Sequence, residues 1–274
     1  MAIKLARQFG GIIISADSRQ IYRDMNIGTA KPTRAERKAV PHYLLDFVKP
    51  DQRYSAKDFQ EAVNKLVDKH RDEPIYIVGG TNLYVDAVLK GFDFAGAPPD
   101  RVLRRKLEKL SLSQLKSRLK KLDPVSFDQI DTANKRRLVR AIEAATQAGS
   151  FVSKRKAQKP DWKILKLAIQ VDRKKLDRQN EQRVSKMLRA GWAAEVSRLK
   201  SRYEKTDPGL LAHGYREMWE YIDGKLTREE LERTINRQTH QFIRRQLSWL
   251  KKDPDIVWVK TAAQAKARVK KFLR

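Results

Sequence analysis

A carboxylate, a hydroxyl and an amide stand within four residues of each other near the start of the chain, at Asp17, Ser18 and Gln20. A carboxylate can accept a proton, and the other two groups can hydrogen-bond the edge of a heterocycle. The apolar run at residues 10–14 precedes them and predicts a buried strand. Open α/β sheets bind ligands beyond the carboxyl ends of their strands, so this stretch is a candidate substrate site. On composition alone, the alternative is a strand followed by an ordinary polar loop.

A second strand, predicted at residues 74–78, also ends in a polar loop, Gly79-Gly80-Thr81. The glycines could bring the backbone close to a ligand or could form a plain turn. Strands alternating with helices predict an α/β fold with a parallel sheet flanked by helices. The strand predicted at residues 162–171 is expected to rejoin that sheet, and a last strand is expected at residues 256–259.

Composition excludes several classes of chemistry. The chain has no cysteine, and its four histidines lack the spacing of a metal site, so disulfides and zinc centres are unsupported. No nucleophile-elbow motif is present, and no apolar run reaches the length of a membrane span. We therefore expect a soluble, cytoplasmic protein without a membrane partner. The remaining inventory of carboxylate, strand-end loops and arginines suits transfer of a group from a diphosphate.

The positive charge is unevenly distributed along the chain. The formal net charge is +27, of which residues 1–100 carry +2, residues 101–160 carry +12 and residues 161–274 carry +13. A near-neutral first part with a strongly basic remainder predicts a polyanionic partner, and nucleic acid is favoured. The alternative is charge that only keeps the protein soluble.

Residues 91–100 are rich in Gly, Pro and Asp and predict a linker. Leucines after the linker recur at helical spacing, and a further helix is predicted at residues 134–148. These features predict a small, basic, all-helical insertion at residues 97–160. The α/β core is then discontinuous, comprising residues 1–96 and 161–274.

Several longer motifs occur in an order that resembles the tRNA dimethylallyltransferase (tRNA isopentenyltransferase) family. They are ADSRQIY at residues 16–22, NIGTAKPT at 26–33, PHYLLD at 41–46, VGGTNLY at 78–84, NKRRLVR at 134–140, HGYREM at 213–218 and RRQLSWL at 244–250. The resemblance covers nearly the whole chain. It implies a fold like that of the P-loop NTPases and transfer of a dimethylallyl group from dimethylallyl diphosphate to N6 of an adenine next to the anticodon.

The chain departs from this family at its start. Family members begin with a strand and a phosphate-binding loop, whereas residues 1–10 resemble the helix after that loop, and no G-x-x-x-x-G-K-[ST] occurs. The resemblance implies a Mg²⁺ ion whose protein ligand lies in the absent loop. We interpret this as a truncated or misplaced start rather than lost catalysis. The sheet should then have an open slot, and the chain should bind tRNA without measurable transfer until the strand and loop are added.

The resemblance also implies roles for individual residues. Asp17 would hold the adenine amine and take its proton, Arg183 would contact the diphosphate, and Thr81 would contact substrate. The alternative for Arg183 is an ordinary surface arginine. Lys31 is another cation near the expected diphosphate site.

The expected tRNA contacts lie in four segments, and the target base must turn out of its stack to reach them. They are Asp17, Ser18, Arg19, Gln20, Arg104, Arg136, Arg137, Arg140, His213, Gly214, Tyr215 and Arg216. The alternative for the basic helical residues is a solvated surface that contacts nothing.

Two rival functions stay open on the sequence. One is an adenylate isopentenyltransferase, which the basic insertion disfavours because a mononucleotide needs no extended cationic surface. The other is a catalytically impaired RNA-binding relative. The leading hypothesis is a monomeric transferase that binds a tRNA anticodon stem-loop and dimethylallyl diphosphate.

Overall fold

The computed structural model describes residues 1–94, 100–148 and 159–274, which contain the following strands and helices. The strands are β1 (Ile12–Ser15), β2 (His42–Tyr43), β3 (Ile75–Val78), β4 (Lys166–Ile169) and β5 (Ile256–Val259). The helices are α1 (Ala2–Phe9), α2 (Arg34–Ala39), α3 (Ala56–Lys69), α4 (Asn82–Leu89), α5 (Arg101–Glu108), α6 (Leu112–Leu122), α7 (Pro124–Gln129), α8 (Lys135–Ala148), α9 (Arg173–Arg189), α10 (Trp192–Lys200), α11 (Tyr215–Ile222), α12 (Arg228–Leu250) and α13 (Ala262–Phe272).

The described strands form two parallel sheets. β1 lies between β2 and β3, and β4 pairs with β5 in a separate two-stranded sheet. The prediction that the strand near residue 166 rejoins the first sheet is therefore wrong for the described residues. β3 and β4 are edge strands, and at their ends Val78 is 40% exposed and Ile169 is 51% exposed.

Apolar side chains connect the two sheets where hydrogen bonds do not. Leu5 of α1, Val259 of β5 and Val269 of α13 are buried in one cluster, and Tyr76 of β3 packs against it. α1 therefore lies between the sheets as a shared packing surface. Burial of such side chains stabilises the fold by about 1.5–3 kcal/mol each.

Helix starts follow local sequence signals. Capping boxes are formed at Thr33 and Thr227: each threonine side chain accepts a backbone N–H three residues on, and Glu36 or Glu230 accepts the N–H of the cap residue. Ser55 begins α3 in the same way. These caps satisfy N–H groups that have no partner within their helices.

A large apolar cluster surrounds Trp192, which is only 1% exposed. A Cβ atom at Gly28 would lie 2.2 Å from the indole nitrogen of Trp192, and one at Gly214 would lie 2.2 Å from the far edge of its six-membered ring. The indole is therefore held between two glycines that are distant in sequence. Gly214 also has a φ of +86°, which favours glycine.

The chain divides into two compact units. Unit 1 comprises Met1–Val88 and Asp161–Arg274, and unit 2 comprises Leu89–Pro160. The core of unit 2 is built from α5, α6 and α8 around Leu107, Leu115 and Leu138. Helix α7 is not among the helices predicted from sequence; it begins at Pro124 directly after α6, with the Asp123 side chain accepting the N–H of Ser126.

Substituting Gly214 with alanine tests the packing of Trp192. We expect Gly214→Ala to lower the free energy of unfolding by about 2–4 kcal/mol, because the methyl group collides with the indole and the backbone is strained. Gly224→Ala is the matched control: its φ is +71°, but nothing lies near its Cβ. The control should lose only about 1 kcal/mol, from strain alone. Urea denaturation measures both, and equal losses would contradict tight packing at Gly214.

Candidate active site

Asp17 lies just beyond the carboxyl end of β1 and is half-buried. Its Oδ1 accepts the backbone N–H of Arg19 at 2.7 Å and that of Gln20 at 3.3 Å, which fixes the turn that follows the strand. The other carboxylate oxygen, Oδ2, has no hydrogen-bond partner among the described residues. One oxygen of Asp17 therefore holds the loop, and the other is available to a ligand.

The loop after β3 meets the loop after β1. The Thr81 N–H donates to the carbonyl of Ala16 at 3.1 Å, and its hydroxyl accepts the N–H of Ser18 at 2.9 Å. This approach needs Gly79, because a Cβ there would lie 2.2 Å from the backbone of Ala16. The predicted residues Asp17, Ser18 and Thr81 are thus brought together. Gly79 permits a close approach of two backbone segments, whereas Gly80 lies against the side chain of Gln246.

The side chain of Gln20 is held at both ends. Its amide nitrogen donates to the carbonyl oxygens of Thr29 and Ala30 at 3.1 and 3.2 Å. Its amide oxygen accepts from the hydroxyl of Ser15 at 3.2 Å. Gln20 therefore links the end of β1 to the loop at residues 26–31, which we call the GTAK loop after its residues 28–31.

Arg183 of α9 lies near Asp17. Its guanidinium donates to Asn180 at 3.1 Å and keeps an exposed surface. Desolvation by the surrounding protein lowers the pKa of Arg183, and the negative charge of Asp17 acts in the opposite direction. A carboxylate and a guanidinium close enough to interact, each with hydrogen-bonding capacity left, can hold opposite ends of a polar substrate.

His213 and Arg19 extend this site towards α12. Arg19 donates to the carbonyl of Pro208 at 3.0 Å, and the exposed ring of His213 lies 5.6 Å from that of Phe242. Desolvation lowers the pKa of His213, and the positive charges of Arg19 and Arg245 lower it further. The imidazole is therefore neutral at pH 7, and it offers a flat surface beside two cations.

Two predicted RNA contacts are corrected by their burial. Tyr215 is 0% exposed and donates its hydroxyl to Glu195 at 2.7 Å, so its side chain cannot meet RNA. Gly214 is buried against Trp192. Their motif is accounted for by packing, while its other members, His213 and Arg216, are exposed.

Lys31 is also buried and has no surface for a diphosphate. Its ammonium donates to the carbonyl of Tyr22 and to Asp46, the latter at 2.7 Å. Burial lowers the pKa of Lys31, whereas the hydrogen bond to Asp46 raises it. Lys31 therefore anchors the end of the GTAK loop.

In unit 2, two of the predicted RNA-binding arginines bind a carboxylate of their own chain. Arg104 and Arg140 donate to Glu143 at 2.7 and 2.6 Å, and Glu143 is 0% exposed. Burial alone would raise the pKa of Glu143, but these two hydrogen bonds hold it below its usual range. Arg136 and Arg137, at the start of α8, are exposed, and no ion pair holds them among the described residues.

The described part of the chain offers neither a metal-binding cluster nor a membrane-spanning helix. In residues 1–94, 100–148 and 159–274, no group of three or more His, Cys, Asp or Glu side chains could hold a metal ion. None of the helices in the same ranges has the length and apolar character needed to cross a bilayer.

Comparison with known proteins identifies one group of relatives. A family model described as IPP transferase matches residues 20–253. The tRNA dimethylallyltransferase of Carboxydothermus hydrogenoformans is 37% identical over 98% of this chain and 90% of its own length, and that of Dehalococcoides mccartyi is 39% identical over 94% and 82%.

Solved structures give the same picture. The tRNA isopentenylpyrophosphate transferase of Bacillus halodurans matches with a TM-score of 0.73 and 30% identity, over 99% of this chain and 90% of that one. The tRNA delta(2)-isopentenylpyrophosphate transferase of Staphylococcus epidermidis has a TM-score of 0.71 at 28% identity, over 99% and 92%. A eukaryotic dimethylallyltransferase acting on tRNA, at 22% identity and a TM-score of 0.80 over 96% and 71%, shares the fold.

The charges around His213 can be tested by titration. We expect Arg245→Gln to raise the pKa of His213, because removing a nearby positive charge makes protonation easier. An NMR titration of the imidazole protons measures this shift. Arg244→Gln is the control, since it removes the same charge from the neighbouring residue, which is not among the main charges that shift the pKa of His213. An unchanged pKa in Arg245→Gln would contradict the proximity of the two side chains.

Proposed function

The chain belongs to the IPP transferase family, and we propose that it transfers a dimethylallyl group from dimethylallyl diphosphate to N6 of an adenine next to the anticodon of tRNA. It is a transferase of tRNA modification. The observation that carries the proposal is the position of Asp17 just beyond the carboxyl end of β1, where Oδ1 holds the turn and Oδ2 has no hydrogen-bond partner among the described residues.

The reaction follows from the charges that must change. The adenine N6 attacks the first carbon of the dimethylallyl group, so a C–N bond forms while the C–O bond to diphosphate breaks. The bonding electron pair leaves with the diphosphate, and Asp17 accepts the proton from N6. Arg183 offers its guanidinium to the leaving phosphate oxygens, where negative charge develops. Thr81 contributes by holding Ser18 and the turn that carries Asp17.

A Mg²⁺ ion remains a prediction from the family resemblance. Among the described residues, no group of three or more His, Cys, Asp or Glu side chains could hold this ion. Monomeric state and a cytoplasmic location are likewise proposals.

Recognition of tRNA would use both units. The exposed Arg136 and Arg137 of unit 2 suit phosphate contacts, which supply most of the affinity of such complexes. In unit 1, the turn at residues 17–20 and the exposed side chains of His213 and Arg216 suit the base that is turned out of its stack. The basic unit 2 favours tRNA over a free adenine nucleotide.

Asp17→Asn tests the chemical step. We expect the single-turnover rate of prenyl transfer to fall by ~10²–10⁴-fold, because asparagine cannot accept the proton. Transfer of radiolabelled dimethylallyl diphosphate to tRNA is measured in the 274-residue chain and in a chain extended by the expected strand and loop.

Asp72→Asn, at an exposed position, is the matched control and should retain the wild-type rate. Wild-type transfer by Asp17→Asn would contradict the assigned base. Binding of tRNA without transfer in either form of the wild type would favour the impaired RNA-binding relative.

The basic surface of unit 2 is tested through salt. Replacing both Arg136 and Arg137 with alanine should weaken tRNA binding and flatten the slope of log K against log salt by roughly 0.7–0.9 for each phosphate that the protein no longer neutralises. The control replaces the exposed Lys266 and Lys270 of α13, which removes the same charge elsewhere. An unchanged slope in the arginine variant would refute this RNA-binding surface.

A further inference from the structure

Glu195 of α10 is a buried carboxylate to which the mechanism above gives no role. It is 2% exposed and accepts four hydrogen bonds. Its Oε2 accepts the N–H groups of Asn26 and Ile27, both at 2.8 Å, and its Oε1 accepts the N–H of Gly28 at 3.3 Å and the hydroxyl of Tyr215 at 2.7 Å. A buried carboxylate is stable only with such a set of donors.

Among the described residues, the N–H groups of Asn26 and Ile27 have no other acceptor, whereas the N–H of Gly28 also interacts with the Tyr215 hydroxyl. These N–H groups open the GTAK loop, whose other end is anchored separately by the ammonium of Lys31, which donates to the Tyr22 carbonyl and to Asp46. Within the loop, Thr29 donates its hydroxyl to the carbonyl of Met25, and the N–H of Lys31 donates to the carbonyl of Asn26. Glu195 therefore connects this loop to the helical part of unit 1. Without the carboxylate, the N–H groups of Asn26 and Ile27 lose their partner, and that of Gly28 keeps only the Tyr215 hydroxyl.

The loop in turn positions residues at the end of β1. The carbonyls of Thr29 and Ala30 hold the amide of Gln20, and the N–H of Gln20 is one of the two donors to Asp17. A displacement of the GTAK loop would therefore move Gln20 and, through it, Asp17, the proposed base. In enzymes, a misplacement of about 1 Å can cost about 10²-fold in rate.

We propose that Glu195 is a positioning residue for prenyl transfer: it holds the GTAK loop, which holds Gln20 and thereby Asp17. This inference rests on the proposed function. Glu195 touches no substrate, so its loss should slow the chemical step while tRNA affinity, which depends mainly on phosphate contacts, is largely kept.

A cavity beside Glu195 allows a sharp test. It has a volume of about 110 Å³, opens to solvent and is lined partly by Asn26, Arg198 and Arg202. That volume is several times what one water molecule needs. Arg202 is paired with Asp24, which also lines the cavity, so Arg198 is the cation that favours an anion there. A small carboxylate can therefore replace the missing side chain in Glu195→Ala.

The experiment compares Glu195→Gln, which keeps the side-chain size, with Glu195→Ala. Both should lower the single-turnover rate by about 10²-fold with little change in the Kd for tRNA. Acetate should restore the rate of Glu195→Ala saturably, whereas acetamide and chloride should not. Glu36→Gln is the matched control, because Glu36 also accepts a backbone N–H, at the exposed start of α2, and should keep the wild-type rate.

Transfer rates are measured in whichever form, the 274-residue chain or the extended chain, is active without substitutions. Amide hydrogen exchange is measured on the same proteins. In the Glu195 variants, a loss of exchange protection confined to residues 20–31 supports the positioning role, whether or not the wild type transfers a prenyl group. Absence of transfer by the wild type would count only against the proposed function. Wild-type rates in Glu195→Gln, absence of acetate rescue in folded Glu195→Ala, or loss of protection throughout the sheet would overturn the positioning role. If Glu195→Ala does not fold, the transfer rate and hydrogen exchange of Glu195→Gln decide whether Glu195 has the positioning role.

Discussion

The Glu195 carboxylate is the point at which three segments of unit 1 meet. It lies on α10, accepts three consecutive N–H groups of the GTAK loop and receives the hydroxyl of Tyr215 from α11. Removing a carboxylate from water costs several kcal/mol unless strong hydrogen bonds compensate. Here the hydrogen-bond donors are held in place, because Trp192 is packed between Gly28 and Gly214. The polar and apolar parts of this junction therefore depend on each other.

The proposed active site uses a similar division of tasks. Asp17 uses one oxygen for its own turn and leaves the other for a substrate, while Arg183 keeps most of its donors available. Lys31 and Asp46, by contrast, neutralise each other and serve only the loop. In unit 2, Glu143 orients Arg104 and Arg140, whereas Arg136 and Arg137 remain exposed. Burial and pairing thus separate structural charges from those that can meet a ligand.

Local signals made much of the fold predictable from sequence. The helix predicted at residues 134–148 and the last strand at residues 256–259 are confirmed, the helix to within one residue, because such patterns depend on neighbours a few residues away. The role of Glu195 could not be predicted in this way, since its partners in the GTAK loop lie more than 160 residues earlier in the chain. The prediction for Tyr215 is wrong for the same reason: a motif indicates that a residue matters and does not indicate which way it faces. Pairing of β4 with β5 is likewise a long-range property.

The central claim is that the residues around Asp17 direct a prenyl group to one nitrogen of tRNA. Its most direct test is the chemical identity of the product. tRNA is incubated with the wild-type protein and dimethylallyl diphosphate, digested to nucleosides and analysed by mass spectrometry, and intact fragments locate the modified position. We expect N6-dimethylallyladenosine at the adenine next to the anticodon. A prenyl group at another nucleotide or another atom, or modification of free adenine nucleotides but not of tRNA, would contradict the claim.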